Sequence, residues 1–187
     1  MVNEKYKICI VQINNNFSNH SYLPYVSGLI EGYVTKYAIS PNKFEFEIPI
    51  YKREHIDVYL EKLANTDVIG FSLYVWNYKI SLALAKRLKE LDKNKLIIFG
   101  GPQVPDNPEN FLRENPFIDV VVHGEGEQIA LDIFEAMPGN DWENIPSISY
   151  KVGQSIVTHP RADRRKTIDD IPSPYNSGTF DKIINAY

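Results

Sequence analysis

Two hydrophobic periods alternate along the chain, and their alternation predicts a series of strand and helix units. Residues 6–13 form an apolar run typical of a buried strand, and the segment from Pro24 to Tyr37 carries apolar side chains on one helical stripe. The stretch "FEFEIPIY" (44–51) alternates apolar residues with glutamate and proline. Because one face is then wet and one backbone position cannot donate, this stretch indicates a strand at the edge of a sheet.

The same alternation continues through three further units. It predicts strands at "DVIGFSLYV", "KLIIFGG" and "DVVVHGEGE", and helices at 56–63, 80–91, 108–115 and 127–137. Repeated strand and helix units favour a parallel sheet wrapped by helices on both faces, since right-handed crossovers cover both sides. With the polar-faced second strand at an edge, the sequence predicts a flavodoxin-like (Rossmann-like) α/β fold with a five-stranded parallel sheet in the order 2-1-3-4-5.

The last part of the chain has a different pattern. "PSISYKV" and "SIVTHPR" are short strands separated by Gly153 and Gln154, a pair suited to a two-residue type II′ hairpin turn. Dense charge and two prolines in "RADRRKTIDDIPSPYNS" then indicate an exposed connector. We therefore expect an α/β domain over residues 1–145, an appended β-hairpin over 146–160, and a connector over 161–187 that leads towards a part of the protein absent from this chain.

Composition excludes several function classes. The 187 residues are 43% hydrophobic and 24% charged with a net charge of −4, which gives no electrostatic reason to expect a nucleic-acid partner. The one cysteine, Cys9, lies in the apolar segment "YKICIVQI" and is expected in the core, so no disulfide, zinc site or iron-sulfur cluster can be built within this chain. No apolar segment approaches membrane-spanning length, so we expect no membrane and a cytoplasmic location.

The fourth strand ends in "LIIFGGPQV", which places Gly100 and Gly101 at the edge where open α/β sheets bind ligands. Glycines there can simply form a tight turn with positive φ. They can also leave the backbone bare, so that a broad planar ligand packs against amides and carbonyls. The motif alone leaves both interpretations open.

The loop after the third strand, "SLYVWNY", supplies candidate binding groups at the same edge. Ser72 offers a hydroxyl, Tyr74 and Trp76 offer flat aromatic faces, and Asn77 is suited to cap the following helix. The two aromatic residues are equally compatible with a role in the core, because side chains alternate between the faces of a sheet.

The loop after the fifth strand, "HGEGEQ", is the third candidate. Gly124 and Gly126 flank Glu125 there, and an acid between two glycines at the ligand edge favours a binding role. Glu127 is also explained as an ordinary acid at a helix start, and His123 as a hydrogen-bonded structural residue.

Four segments in register resemble a known domain. "GFSLYVWN", "IIFGGPQVPDNPENFL", "DVVVHGEGE" and "TIDDIPSPY" together look like the N-terminal cobalamin-binding domain of cobalamin-dependent radical SAM enzymes, over roughly residues 5–180. The resemblance implies that the corrin lies across the carboxyl edge of the sheet and that the nucleotide tail runs between strands and helices.

The resemblance also assigns residues to the sides of the cofactor, with no catalytic residue and no protein metal ligand. It implies one wall of Ser72, Leu73, Tyr74 and Trp76, a floor and tail channel of Gly100, Gly101, Pro102, Gln103 and Val104, and a far side of Gly124, Glu125, Gly126 and Glu127.

One departure concerns the lower ligand of cobalt. Cobalamin modules of the methionine-synthase type carry DxHxxG after the first strand, and its histidine binds the metal. The corresponding loop here reads "NNNFSNHSYLP", without an Asp in the needed position before His20. We therefore expect His20 to be a loop residue, and cobalamin to be bound without a histidine below cobalt.

The resemblance divides function between this chain and a longer protein. In the family the connector leads into a radical SAM domain with a CxxxCxxC motif, which this chain lacks, so SAM and a [4Fe-4S] cluster belong to the absent part. The chain is expected to be the cobalamin-binding module of an enzyme that performs methyl transfer or another radical reaction. The alternative is a non-enzymatic, cofactor-free flavodoxin-like domain whose edge aromatics meet a protein partner.

Overall fold

A seven-stranded sheet organises the protein in a computed structural model, which describes residues 5–15 and 21–185. The strand order is β2-β1-β3-β4-β5-β6-β7, so the predicted order of the first five strands is confirmed. These five pair in parallel, and the last two are antiparallel. The strands are β1 (Tyr6–Val11), β2 (Phe44–Phe46), β3 (Val68–Ser72), β4 (Leu96–Gly100), β5 (Val120–Val122), β6 (Ile148–Val152) and β7 (Ser155–Thr158).

Helices cover both faces of the sheet, as the repeated units predict. One apolar core packs α2, α3 and α4 against the sheet, and a second core packs α1 and α5 against the opposite face. Within the described residues no helix combines the length and apolar character needed to cross a bilayer. The helices are α1 (Tyr25–Tyr37), α2 (Ile56–Lys62), α3 (Tyr78–Leu91), α4 (Glu109–Glu114), α5 (Glu127–Glu135) and α6 (Asp181–Ile184), with a 3₁₀ turn at Pro41–Lys43.

The central strands are largely apolar because both of their faces are buried. In β4, Ile97 and Phe99 belong to one core and Ile98 belongs to the other. The edge strand β2 is shorter than the predicted 44–51, since Pro49 has no N–H for the ladder. Pairing resumes only at an isolated bridge between Ile50 and Val11.

The predicted hairpin forms, and it extends the sheet from five strands to seven. Ser149 of β6 pairs with Val121 of β5, and Val152 pairs with Ser155 across a two-residue turn. Gly153 in that turn has a φ of +59°, which a primed hairpin turn requires. The added strands satisfy the backbone groups that an exposed β5 edge would leave unpaired.

The residues that follow the exposed stretch predicted at 161–177 pack against the rest of the protein. Phe180 and Ile183 are each 2% exposed and form a small apolar cluster with Tyr51. A Cβ atom added at Gly28 of α1 would lie only 2.6 Å from the Cβ of Pro174 and 2.7 Å from the Phe180 ring. The segment therefore packs closely on α1, which has a second buried face beyond the single predicted stripe.

Candidate functional site

The loops that leave β3 and β4 are joined by backbone hydrogen bonds at the carboxyl edge of the sheet. The Leu73 N–H donates to the carbonyl oxygen of Gly100 at 2.7 Å, and the Gln103 N–H donates to the carbonyl oxygen of Leu73 at 3.2 Å. The two loops therefore form one braced unit rather than two independent segments.

The two glycines at the end of β4 have different roles. Gly101 has a φ of +102°, and a Cβ atom there would lie 2.8 Å from both the nitrogen and the oxygen of Leu73. A Cβ atom at Gly100 would meet nothing closer than the Cβ of Val122, at 3.7 Å. Gly101 is thus required by the turn, whereas Gly100 leaves space open beside the strand.

That space belongs to a cavity of about 260 Å³ between one sheet face and helices α1 and α5. The sheet side of the cavity is apolar and includes Ile10, Ile98 and Val122. Val26 and Ile30 of α1 and Ala130 and Phe134 of α5 form its helix side. The spacing of four residues within each helical pair places both members on one helix face. The cavity therefore runs from the carboxyl edge into the space between sheet and helices.

Most of the residues predicted for the site line this cavity. They are Ser72, Tyr74, Gly100, Gly101, Pro102, Gly124, Glu125, Gly126 and Glu127. They come from the ends of three neighbouring strands, β3, β4 and β5, whose parallel pairing brings them to one edge.

Gly70 is a lining residue that the sequence interpretation missed. It lies in the middle of β3, and a Cβ atom added there would meet only the Cδ1 atom of Ile10, at 2.8 Å. A glycine inside an apolar strand is a known sign of close approach by a ligand or another backbone. The stretch "DVIGFSLYV" therefore carried a signal for this position.

Ser72 supplies a polar group to an otherwise apolar wall. The residue is only 5% exposed, and it lines the cavity at the end of β3. A hydroxyl can both donate and accept a hydrogen bond, so Ser72 is available to a polar group of a ligand in the cavity.

Glycines keep the far side of the cavity open. Gly124 has a φ of +81°, and Cβ atoms added at Gly124 or Gly126 would have no neighbour within 4 Å. Glu127 begins α5, where an acid is favoured by the helix dipole. Glu125 lies on the rim and accepts a hydrogen bond from the Arg165 N–H at 3.2 Å.

Tyr74 and Trp76 form a stacked pair at the same edge. Their ring centroids are 4.6 Å apart with an interplanar angle of 8°. The Trp76 indole N–H donates to the carbonyl oxygen of Ile13 at 3.2 Å, which ties the β3 loop to the end of β1. Tyr74 lines the cavity, whereas Trp76 stands behind it and is 43% exposed.

Three other predicted residues lie away from the cavity. Leu73 is fully buried in the core on the opposite sheet face, and Val104 packs against that same core. Gln103 is exposed and contributes its backbone N–H to the bond with Leu73. Because strand side chains alternate, Leu73 must face away from the side that Ser72 occupies.

Asn77 braces the β3 loop instead of capping α3. It occupies the N-cap position without a side-chain cap bond. Its Oδ1 accepts from the Tyr74 N–H at 2.8 Å, and its Nδ2 donates to the carbonyl oxygens of Ser72 and Ile13. The buried amide therefore fixes the loop that carries the aromatic pair.

His123 and His20 complete the predicted polar groups. His123 is buried, its Nε2 lies 2.9 Å from the Ser149 hydroxyl, and burial lowers its pKa. The hydrogen-bonded structural role expected for it agrees with this environment. His20 lies outside the described residues.

Comparison with known proteins identifies related domains and proteins. The B12 binding domain family matches residues 43–134. The cobalamin-dependent radical SAM methyltransferase TokK of Streptomyces tokunonensis is 32% identical over 180 residues, which are 95% of this chain and 26% of TokK. The 2-(S-pantetheinyl)-carbapenam-3-carboxylate methyltransferase of Streptantibioticus cattleyicolor is 31% identical over 165 residues, which are 87% of this chain and 24% of that enzyme. The chain thus spans about a quarter of the length of these relatives.

Solved structures share the fold. The radical enzyme OxsB with aqua-cobalamin bound matches with a TM-score of 0.73 at 18% identity, over 95% of this chain and 25% of OxsB. The methyltransferase TsrM from Kitasatospora setae, with cobalamin and a [4Fe-4S] cluster bound, matches with a TM-score of 0.62 at 17% identity, over 90% of this chain and 31% of TsrM. The B12 binding domain match and the two methyltransferase relatives do not favour the cofactor-free alternative.

Proposed function

We propose a binding site for cobalamin at the carboxyl edge of the sheet. The chain carries a B12-binding domain homologous to the cobalamin module of radical SAM methyltransferases. The corrin rests on the carboxyl edge between the β4 and β5 loops, and the nucleotide tail enters the cavity beneath α1 and α5. The continuous cavity that opens at this edge is the observation that carries the proposal.

The residues at the cavity fit such a molecule. Gly100, Gly124 and Gly126 leave room for a broad ring, because Cβ atoms added at these positions would have no neighbour closer than 3.7 Å. Gly70 leaves the channel floor bare, and the Ser72 hydroxyl offers a hydrogen bond to a polar group of the tail. A largely apolar pocket with few polar groups is the usual form of a cofactor site.

The chain's own residues bind and orient. Tyr74 presents an aromatic face to the cavity, held by the buried Asn77 amide and by its stack on Trp76. When bound, cobalamin supplies an organometallic carrier for the transferred group, which no side chain of this protein can replace. This role requires a precise position rather than a general acid or base, and in our proposal this chain contributes no catalytic residue and no histidine ligand to cobalt.

The rest of the reaction is assigned to the remainder of a longer protein. TokK and the carbapenam methyltransferase are each about four times as long as their matched part, and both are methyltransferases. We place SAM, its [4Fe-4S] cluster and the substrate in a radical SAM domain that follows the connector, with methyl transfer or another radical reaction as the outcome. Residues 1–145, 146–160 and 161–187 serve as cofactor domain, hairpin and connector, and we place the protein in the cytoplasm.

Retention of cobalamin by the purified 187-residue chain tests the proposed site. The chain is mixed with hydroxocobalamin, freed of unbound cofactor on a desalting column, and assayed for cobalamin per protein. We expect one equivalent in the wild type and a large loss in Gly100→Leu, which fills the cavity at an open position. Val152→Ala, on the exposed end of β6, serves as the matched surface control and keeps full retention. Equal retention by Gly100→Leu and the wild type would contradict the proposed site.

A further inference from the structure

Arg165 links the connector to one of the helices that bound the cavity. Its Nη2 donates to the Tyr33 hydroxyl of α1 at 2.8 Å, and its guanidinium carbon lies 4.9 Å from the centroid of the Tyr33 ring. Its Nη1 donates to the Asp170 carboxylate at 2.6 Å, and the Arg165 side chain is 20% exposed. Arg165 is therefore a partly buried cation with a fixed geometry, unlike most surface arginines.

Tyr33 carries the link onward to the second helix. Its hydroxyl donates to Oε1 of Gln128 in α5 at 2.7 Å, and Nε2 of Gln128 donates to the Asp132 carboxylate at 2.7 Å. A phenol has one proton to donate, so it can accept from Arg165 while it donates to Gln128. One directional network therefore runs from the connector through α1 to α5.

The same connector segment also holds the rim of the cavity. The Arg165 N–H donates to Oε2 of Glu125 at 3.2 Å, and its Nε lies 3.9 Å from that oxygen. Glu125 lines the proposed cofactor cavity and also a second cavity of about 520 Å³ beneath residues 161–165. The position of this carboxylate therefore depends on the docked connector.

A second set of bonds keeps the segment on α1. The carbonyl oxygen of Asp170 accepts from the Tyr37 hydroxyl at 2.7 Å and from Lys36 Nζ at 3.3 Å. Asp170 thus binds Arg165 through its side chain and α1 through its backbone. The connector therefore contacts α1 at both ends of the stretch from Arg165 to Asp170.

We propose that Arg165 is a positioning residue that couples docking of the connector to retention of the cofactor. By joining α1 to α5 through Tyr33 and by holding Glu125 at the rim, it fixes the width and the mouth of the channel. The inference rests on the proposed cofactor site and adds to it the residue that keeps the channel closed around its ligand. The orientation of the domain that we place after the connector then depends on whether cobalamin occupies the site.

Arg165→Ala and Arg164→Ala form a matched pair for the test. Arg164 is adjacent and exposed, and it forms no hydrogen bond or ion pair within the part of the chain that the structure describes. The 187-residue protein is loaded with hydroxocobalamin, and its release is timed after dilution. We expect release about tenfold faster from Arg165→Ala, a factor typical of coupling between sites, and an unchanged rate from Arg164→Ala. Tyr33→Phe removes one hydroxyl and should also speed release, which provides a milder variant if Arg165→Ala folds poorly.

Hydrogen exchange on the cofactor-free protein separates the two proposals. In Arg165→Ala we expect faster exchange across residues 161–170 and the second half of α1, with exchange in β4 unchanged. Release at the wild-type rate from Arg165→Ala would overturn the inference even if the site binds cobalamin. Unchanged exchange in the connector would overturn it independently of the cofactor. A wild-type chain that retains no cobalamin would instead contradict the proposed function.

Discussion

The Leu73 N–H donates to the carbonyl oxygen of Gly100 at 2.7 Å, and this bond sets the carboxyl edge of the sheet. It brings the end of β3 against the end of β4 so closely that the next residue, Gly101, has no room for a side chain. The same approach leaves Gly100 facing an open cavity. One backbone contact therefore explains why Gly101 is needed for the turn whereas Gly100 leaves the cavity open.

The first prediction separates these two glycines. Gly101→Ala should lower the free energy of unfolding by about 3 kcal/mol, because its positive φ and its contact with Leu73 both oppose a Cβ atom. Gly100→Ala should change the free energy of unfolding by less than about 1 kcal/mol. Urea unfolding of both variants measures the difference. Equal destabilisation by the two substitutions would contradict the assignment.

The second prediction concerns the channel floor. Gly70→Val should weaken cobalamin binding at least tenfold, because its side chain projects into the channel. The fold should tolerate the change, since the nearest atom is the flexible end of Ile10 and valine suits a strand. Ile69→Val in the opposite core is the control, expected to cost about 1 kcal/mol of stability with no effect on binding. Unaltered affinity in Gly70→Val, measured by equilibrium titration, would argue against a ligand in the channel.

The third prediction tests how the C-terminal segment packs on α1. Gly28→Ala should destabilise the protein by about 2 kcal/mol, because its Cβ atom would overlap Pro174 and the Phe180 ring. Gly32→Ala is matched to it on the same helix, with its nearest atom at 3.5 Å, and should stabilise by about 0.5 kcal/mol through helix propensity. Thermal unfolding distinguishes the two. A stabilising Gly28→Ala would mean that residues 174–180 do not pack there.

The fourth prediction follows from His123. Burial and the nearby Arg161 charge lower its pKa, with Asp106 opposing them, so the ring takes up a proton at a lower pH in the folded protein than in the unfolded chain. As the pH falls below about 6.5, the unfolded chain binds a proton that the folded state does not, and stability drops by at most about 1.4 kcal/mol per pH unit. His123→Gln keeps a donor for Ser149 and should remove this component. If the free energy of unfolding of the variant and of the wild type changed in the same way with pH, this assignment to His123 would be refuted.

Much of the architecture could be predicted from the sequence because its causes are local. Alternating periods identified the strand and helix units, and the wet face of 44–51 placed β2 at an edge. The glycine-rich strand ends were recognisable for the same reason, since Gly100 and Gly124 interrupt apolar runs at the ligand edge. The placement of Leu73 also had a local signal, because strict alternation from Ser72 directs it to the opposite core.

Other features depend on contacts between distant parts of the chain. The contact of Phe180 with Gly28 joins residues far apart in sequence, and the hydrophobic pattern of neither segment predicts it. In the sequence, Arg165 is one charge among several in an exposed stretch, and only the fold shows that it contacts Tyr33. The hairpin was predictable as a hairpin, but its pairing with β5 required a free sheet edge that only the assembled fold supplies.

The visible absorption spectrum of the one-to-one complex with hydroxocobalamin tests the central claim most directly, namely that the channel between the sheet and helices α1 and α5 accepts the nucleotide tail. A tail held in that channel cannot coordinate cobalt from below, so we predict a shift to the base-off spectrum on binding. A complex that keeps the base-on spectrum of free cobalamin would contradict the account.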